Sequence, residues 1–156
     1  MTLTRRTALG ALLCTLLVGT ATIAAGMQTR TAGKAEDKMP MHGEHFAACA
    51  KACGDCQLHC DACFRHCATQ LAAGKKDHEK TMISCVDCAE CCKLAATLSA
   101  RESPYAAAAC ECCAKCNDDC AAACEKFPDD KHMATCAKSC RDCAKACREM
   151  TMHMKH

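Results

Sequence analysis

Between Cys49 and Cys67 the chain reads CAKACGDCQLHCDACFRHC, and its six cysteines, Cys49, Cys53, Cys56, Cys60, Cys63 and Cys67, are separated by 4, 3, 4, 3 and 4 residues. That alternation follows one face of an α-helix and the a/d seam of a heptad. Thiols stand where leucines would normally pack.

Three later segments repeat the pattern. Cys85, Cys88, Cys91 and Cys92 form the second; Cys110, Cys112, Cys113, Cys116, Cys120 and Cys124 the third; Cys136, Cys140, Cys143 and Cys147 the fourth. Cys91 and Cys112 lie off the main seams. With no Trp, three Phe and one Tyr, few large side chains remain to build a core. A buried cysteine is a small hydrophobe, but 21 of them in 156 residues exceeds what packing alone explains and points to a scaffold or metal role.

Taken in order, residues 1–26 read as an export signal: Thr4-Arg5-Arg6-Thr7-Ala8-Leu9, an apolar run to Ala25, then small residues, with the paired arginines favouring the twin-arginine route. Cys14 falls inside this leader and is discarded with it, leaving twenty cysteines. Residues 27–43 are polar, with Pro40 and two glycines, and read as a flexible linker. Helix one is expected from about Glu44 to Ala73 with Gly74 as its stop, helix two from Asp77 as N-cap to about Ser99, and helix three from Ser103-Pro104, with Pro at the first helical position, to about Lys126. Helix four then starts at Pro128-Asp129 and reaches at least Met150, leaving residues 151–156 as a Met- and His-rich tail.

Loops this short force antiparallel neighbours. The expected fold is therefore all-α: an antiparallel four-helix bundle over residues 44–150 with a cysteine-lined core. That topology brings Met39, Met41, His42 and His45 to the same end as Met150, Met152, His153, Met154 and His156. Along helix four, Met133, Cys136, Cys140, Cys143, Cys147, Met150 and Met154 continue one row by steps of 3 and 4. His59, His66 and His78 read as surface or flank residues, and Leu58, Phe64 and Leu71 as helix flanks or a subunit contact.

Residues three or four apart on a helix hold their Cβ atoms about 5–6 Å apart, while an ion between two thiolates separates the sulfurs by roughly 4.6 Å on the zinc bond length. Neighbouring cysteines can therefore clasp a two-coordinate ion, and soft thiolates and thioethers select Cu(I). One Cu⁺ per thiolate also cancels the buried charge. Zinc wants closed sets of four, which a continuous row does not parse into, although facing helices could supply one or two. An iron–sulfur reading of Cys85, Cys88 and Cys91 fails because Ala95 stands where the ferredoxin-type fourth cysteine belongs. Disulfides suit an exported chain, but Cβ vectors along one helix face run parallel and do not converge.

The 20 Lys and Arg against 18 Asp and Glu offer no basic field for nucleic acid or an anionic membrane. A catalytic Cys–His pair has no specific support, since proximity follows from abundance. No enzyme is expected.

These residues together resemble the bacterial copper storage proteins, cysteine-rich four-helix bundles that load their cores with Cu(I). The likeness covers about residues 40–150, and the Arg5-Arg6 leader is similar to that of the exported branch. The resemblance implies a periplasmic homotetramer holding multiple Cu(I) ions on the twenty cysteines from Cys49 to Cys147. It also implies Met and His ligands near His42, His45, Met150 and Met154 at one end, and a copper-requiring enzyme as recipient. The chain is richer in cysteine than the exported type needs to be. The alternatives are copper detoxification, a copper chaperone with one exposed site, a disulfide-stapled structural bundle with few free thiols, and a coloured redox or iron–sulfur carrier.

Overall fold

The computed structural model describes residues 43–154. The leader, Met39, Met41, His42 and His156 lie outside the described residues. Within them the chain forms α1 (Glu44–Ala72), a 3-10 turn (Lys76–His78), α2 (Glu79–Ala100), α3 (Ala106–Cys124) and α4 (Lys131–Met154). Each helix packs on two neighbours, in the cyclic order α1, α2, α3, α4, and neither diagonal pair meets through its backbone. This is the antiparallel up-down-up-down square.

Side chains do meet across the diagonal. Cys49 with Cys110, Cys56 with Asn117, and Cys63 with Cys124 all pair at a constant sequence separation of 61. A constant difference means that α1 and α3 run parallel and stay in register over four turns.

The helix ends explain where the expected boundaries shift. α1 stops as expected at Gly74, whose φ of +86° suits a residue without Cβ. Its N–H reaches the Leu71 carbonyl at 2.9 Å while that of Lys75 reaches Gln70 at 3.0 Å, the paired bonds of a Schellman motif. α2 begins at Glu79, not at an Asp77 cap, because Asp77 is taken up in the 3-10 turn and His78 holds the N-cap position. α3 begins at Ala106, two residues beyond Pro104, after a turn closed by the Ala106 N–H on the Ser103 carbonyl at 2.9 Å. α4 begins at Lys131, since the Asp130 side chain accepts from the N–H groups of His132 at 2.9 Å and Met133 at 3.3 Å, capping the helix there. It continues to Met154, so residues 151–154 are its last turn and not a tail: Met150 and Thr151 are buried, and the Thr151 hydroxyl bonds the Cys147 carbonyl at 2.8 Å.

Among the described residues the buried apolar ones are all Cys, Ala or Met. Phe46, Leu98 and Phe127 only edge the core, whereas Leu58, Phe64, Ile83, Val86 and Leu94 face outward and Leu71 is half-buried. Alanines such as Ala95, Ala106, Ala121 and Ala144 are small enough to let the helices approach. On the outside, Arg141 ties α4 to Glu125 at 2.8 Å and to Asp118 of α3 at 3.1 Å, and Arg148 also pairs with Asp118. Among the described residues, no helix is long and apolar enough to cross a membrane.

Candidate metal centre

Seventeen of the twenty described cysteines are buried and all twenty are free. Their sulfurs form a ladder down the bundle axis. The first rung is Cys49, Cys110 and Cys147, followed by Cys53, Cys113, Cys143 and Cys147. Further down come Cys56, Cys60, Cys88 and Cys140; then Cys60, Cys120, Cys136 and Cys140; then Cys63, Cys85, Cys124 and Cys136. Within each set the sulfurs lie within 4.8 Å of one another.

Facing helices thus supply four four-thiol sets where the helix rows taken alone parse into none. The sets share members, Cys147, Cys136 and the pair Cys60 and Cys140, so adjacent sets cannot all be filled as independent tetrahedra. Shared corners suit bridging thiolates and ions of low coordination number. Disulfides are not what holds the rows, because the core S···S contacts run from 3.4 to 3.9 Å against a bond of about 2.05 Å.

Asn117 interrupts the sulfur ladder between the second and third sets. Its carbonyl oxygen accepts from Cys56 at 3.0 Å, and its amide donates to the Cys113 carbonyl at 2.9 Å and to the sulfurs of Cys113 and Cys92 at 3.2 and 3.3 Å. Ser99 stands at the end of the α2 seam, 3.6 Å from both Cys49 and Cys110, and buried Thr81 closes the opposite end of that seam. None of the three was singled out from the sequence. Steps of 3 and 4 would have found them, since Thr81, Cys85, Cys88, Cys92, Ala95 and Ser99 form one stripe and Cys110, Cys113, Asn117, Cys120 and Cys124 another.

That second stripe excludes Cys116. It is half-buried beside half-buried Cys91 and exposed Cys112, outside the core.

At the end shared by the start of α1 and the end of α4, Met150 is buried, Met154 packs on the core edge, and the exposed His45 stacks on His153 with ring centroids 3.3 Å apart. The expected gathering of Met and His at this end is present for these four. The opposite end also carries soft and imidazole groups. Met133 accepts from Cys63 at 3.4 Å, His66 bonds Asp130 at 2.7 Å and stacks on His132, and His78 stacks on Phe127. His59 is exposed as expected, but His78 is buried with Nδ1 unpartnered and His66 is half-buried. The connection between α3 and α4 folds over His78 and takes it off the surface.

Burial, followed by the neighbouring Cys63, pushes the Cys67 thiol up to about 12. Hydrogen bonding to Cys120 and Cys113 respectively, with burial added, holds Cys140 and Cys143 above the usual thiol range. Other core thiols go the opposite way, Cys56, Cys120 and Cys147 among them: led by the hydrogen bond from Cys113, the Cys92 thiol falls to about 6. The thiols held high carry a proton at pH 7 in the metal-free protein, and a thiolate-binding ion must displace it. Uptake of Cu(I) at pH 7 will therefore release protons and weaken as the pH falls. Titrations in buffers of different ionisation enthalpy, which convert proton release into heat, measure this directly; a heat independent of buffer would contradict it.

A four-helix bundle with an interior of shared thiol sets is a soft-metal thiolate protein. The chain belongs to the copper storage protein family, whose model matches residues 41–152. No curated protein sequence matches it. Among solved structures it is similar to a Cu(I)-bound copper storage protein, BsCsp3, at 32% identity over 69% of this chain and 99% of that one, with a TM-score of 0.62. The apo form of copper storage protein 3 from Bacillus subtilis matches at 34% identity over 67% and 96%, TM-score 0.59. Ccsp from Streptomyces lividans, loaded with 10 copper equivalents, matches at 26% identity over 77% and 93%, TM-score 0.65. As a copper storage protein, this chain takes Cu(I) as cargo, many ions at a time, on the thiols of its interior.

Proposed function

We propose that the seventeen buried cysteines are the storage ligands, each bridging neighbouring Cu(I) ions, and that Met150, Met154, His45 and His153 form the mouth through which copper enters and leaves. The sharing of Cys147 by the first two thiol sets, and of Cys60, Cys140 and Cys136 among the last three, carries this reading, since it links the core into two runs of bridged sets that meet at Asn117. A thioether row leading from Cys147 through Met150 to Met154 on α4 gives an ion soft partners from core to surface. We further infer export by the twin-arginine route, on the strength of Arg5 and Arg6, which delivers the bundle folded to the periplasm. There it works as a homotetramer supplying a copper enzyme. The role needs no catalytic residue.

Anaerobic titration of the reduced, leader-free protein with Cu(I) against a competing chelator tests the store. Saturation at about seventeen ions, one per buried cysteine, is expected; saturation at one or two would overturn it.

A further inference from the structure

The three cysteines that leave the core do not scatter. Cys91 on α2 and Cys116 on α3 bring their sulfurs to 3.2 Å, and Cys112, one turn before Cys116, lies 4.0 Å from Cys91. The core pair on the same two helices, Cys92 and Cys113, meets at 3.7 Å on the inner side. One residue step turns a side chain about 100° around a helix, so the α2–α3 seam carries thiols on both its inner and outer flanks. Cys112 is exposed and its two partners are half-buried, whereas the core sulfurs of this seam are closed to solvent.

We propose that Cys91, Cys112 and Cys116 form a separate Cu(I) site on the outer face of the α2–α3 pair, holding one ion and exchanging it with external thiols without opening the bundle. The proposal rests on Cu(I) being the cargo of this protein. Three sulfurs around one three-coordinate ion stand roughly 4.0 Å apart for a metal–sulfur bond of about 2.3 Å. The Cys91–Cys112 distance already has that value. Cys116 needs only a modest side-chain shift to widen 3.2 Å, a smaller change than closing it to a disulfide. Binding replaces thiol protons by Cu(I), the protons pass to solvent, and no electrons move. An entering thiolate from a small thiol or a cysteine-bearing partner adds to the exposed ion and displaces one of the three sulfurs. In the core, such an attack would have to wait for the helices to part.

The site separates three thiols from the storage ladder in number and in rate. The test is the triple variant Cys91→Ser/Cys112→Ser/Cys116→Ser, compared with the wild-type protein under reducing, anaerobic conditions, after circular dichroism shows equal helicity. Copper capacity is expected to fall by one ion and not by three. When a Cu(I) chelator is added in excess, the wild-type protein should lose one ion in an initial fast phase that the variant lacks, with the slower phase unchanged. Equal capacity in the two proteins, or a fast phase that survives in the variant, would overturn the outer site. The difference between the two proteins judges this site, while their common plateau judges the storage core, so one can fail without the other.

Discussion

Loaded with Cu(I), this protein will unfold at a midpoint roughly 20 °C or more above that of the metal-free chain. The reason lies in what the core lacks. Its buried apolar residues are cysteines, alanines and two methionines, so little large apolar surface is withdrawn from water on folding. Hydrophobic burial scales with that surface, and a bundle held by thiols and methyl groups is correspondingly weak when empty. Each ion bound by the folded chain and not by the unfolded one adds about 2.7 kcal/mol when its free concentration is a hundred times Kd. The unfolded chain keeps its cysteines and competes, which lowers the gain per ion, but it cannot reproduce sets such as Cys63, Cys85, Cys124 and Cys136, drawn from four helices. Thermal unfolding followed by circular dichroism, at zero, half and full loading, should show the midpoint climbing with each increment. A midpoint indifferent to copper would mean that the ions sit outside the fold-determining interior.

The same scarcity of large side chains made the fold legible. On α1 every cysteine is a seam residue, and all six are buried. Rows this regular dictate which face turns inward and, with connections of five or six residues, which helices are neighbours.

Where legibility failed, residue type had been allowed to outweigh period. On α3, Cys112 reads as off the seam and is exposed, but Cys116 joins the row only because it is a cysteine; a strict 3-4 step passes through Asn117, and it is Asn117 that is buried. Helix starts were misplaced for a related reason. Asp77, Pro104 and Pro128 are good N-terminal residues, but the loops consume them, and the first turns begin where Ala106 and Met133 can reach the core. The burial of His78 could not be read locally at all, because it depends on Phe127, some fifty residues away, folding over it. Met150 and Met154 were legible as extensions of a row. His42 lies outside the described residues.

Replacing Cys60 and Cys140 together by serine will remove about three to four coppers from the store, more than two independent ligands would account for. These two residues are the only pair in the ladder that the sets given above share twice: they stand in the set with Cys56 and Cys88 and again in the set with Cys120 and Cys136. Their sulfurs are 3.7 Å apart, and each also approaches Cys56, at 3.9 and 3.8 Å. If each thiolate bridges two ions and each ion takes two thiolates, deleting one thiolate leaves two ions short of a ligand. Deleting both members of a shared pair strands as many as four. Serine keeps the volume close to that of cysteine, so the helices need not move, and its hydroxyl is a hard, protonated ligand that Cu(I) does not favour. The control is Cys67→Ser, at the end of the α1 row and absent from the sets named above, which should lose no more than about one ion. Metal analysis after anaerobic loading and desalting gives the count. If the double variant loses no more than about twice the copper that the control loses, the core is a collection of separate sites and bridging thiolates are not its principle.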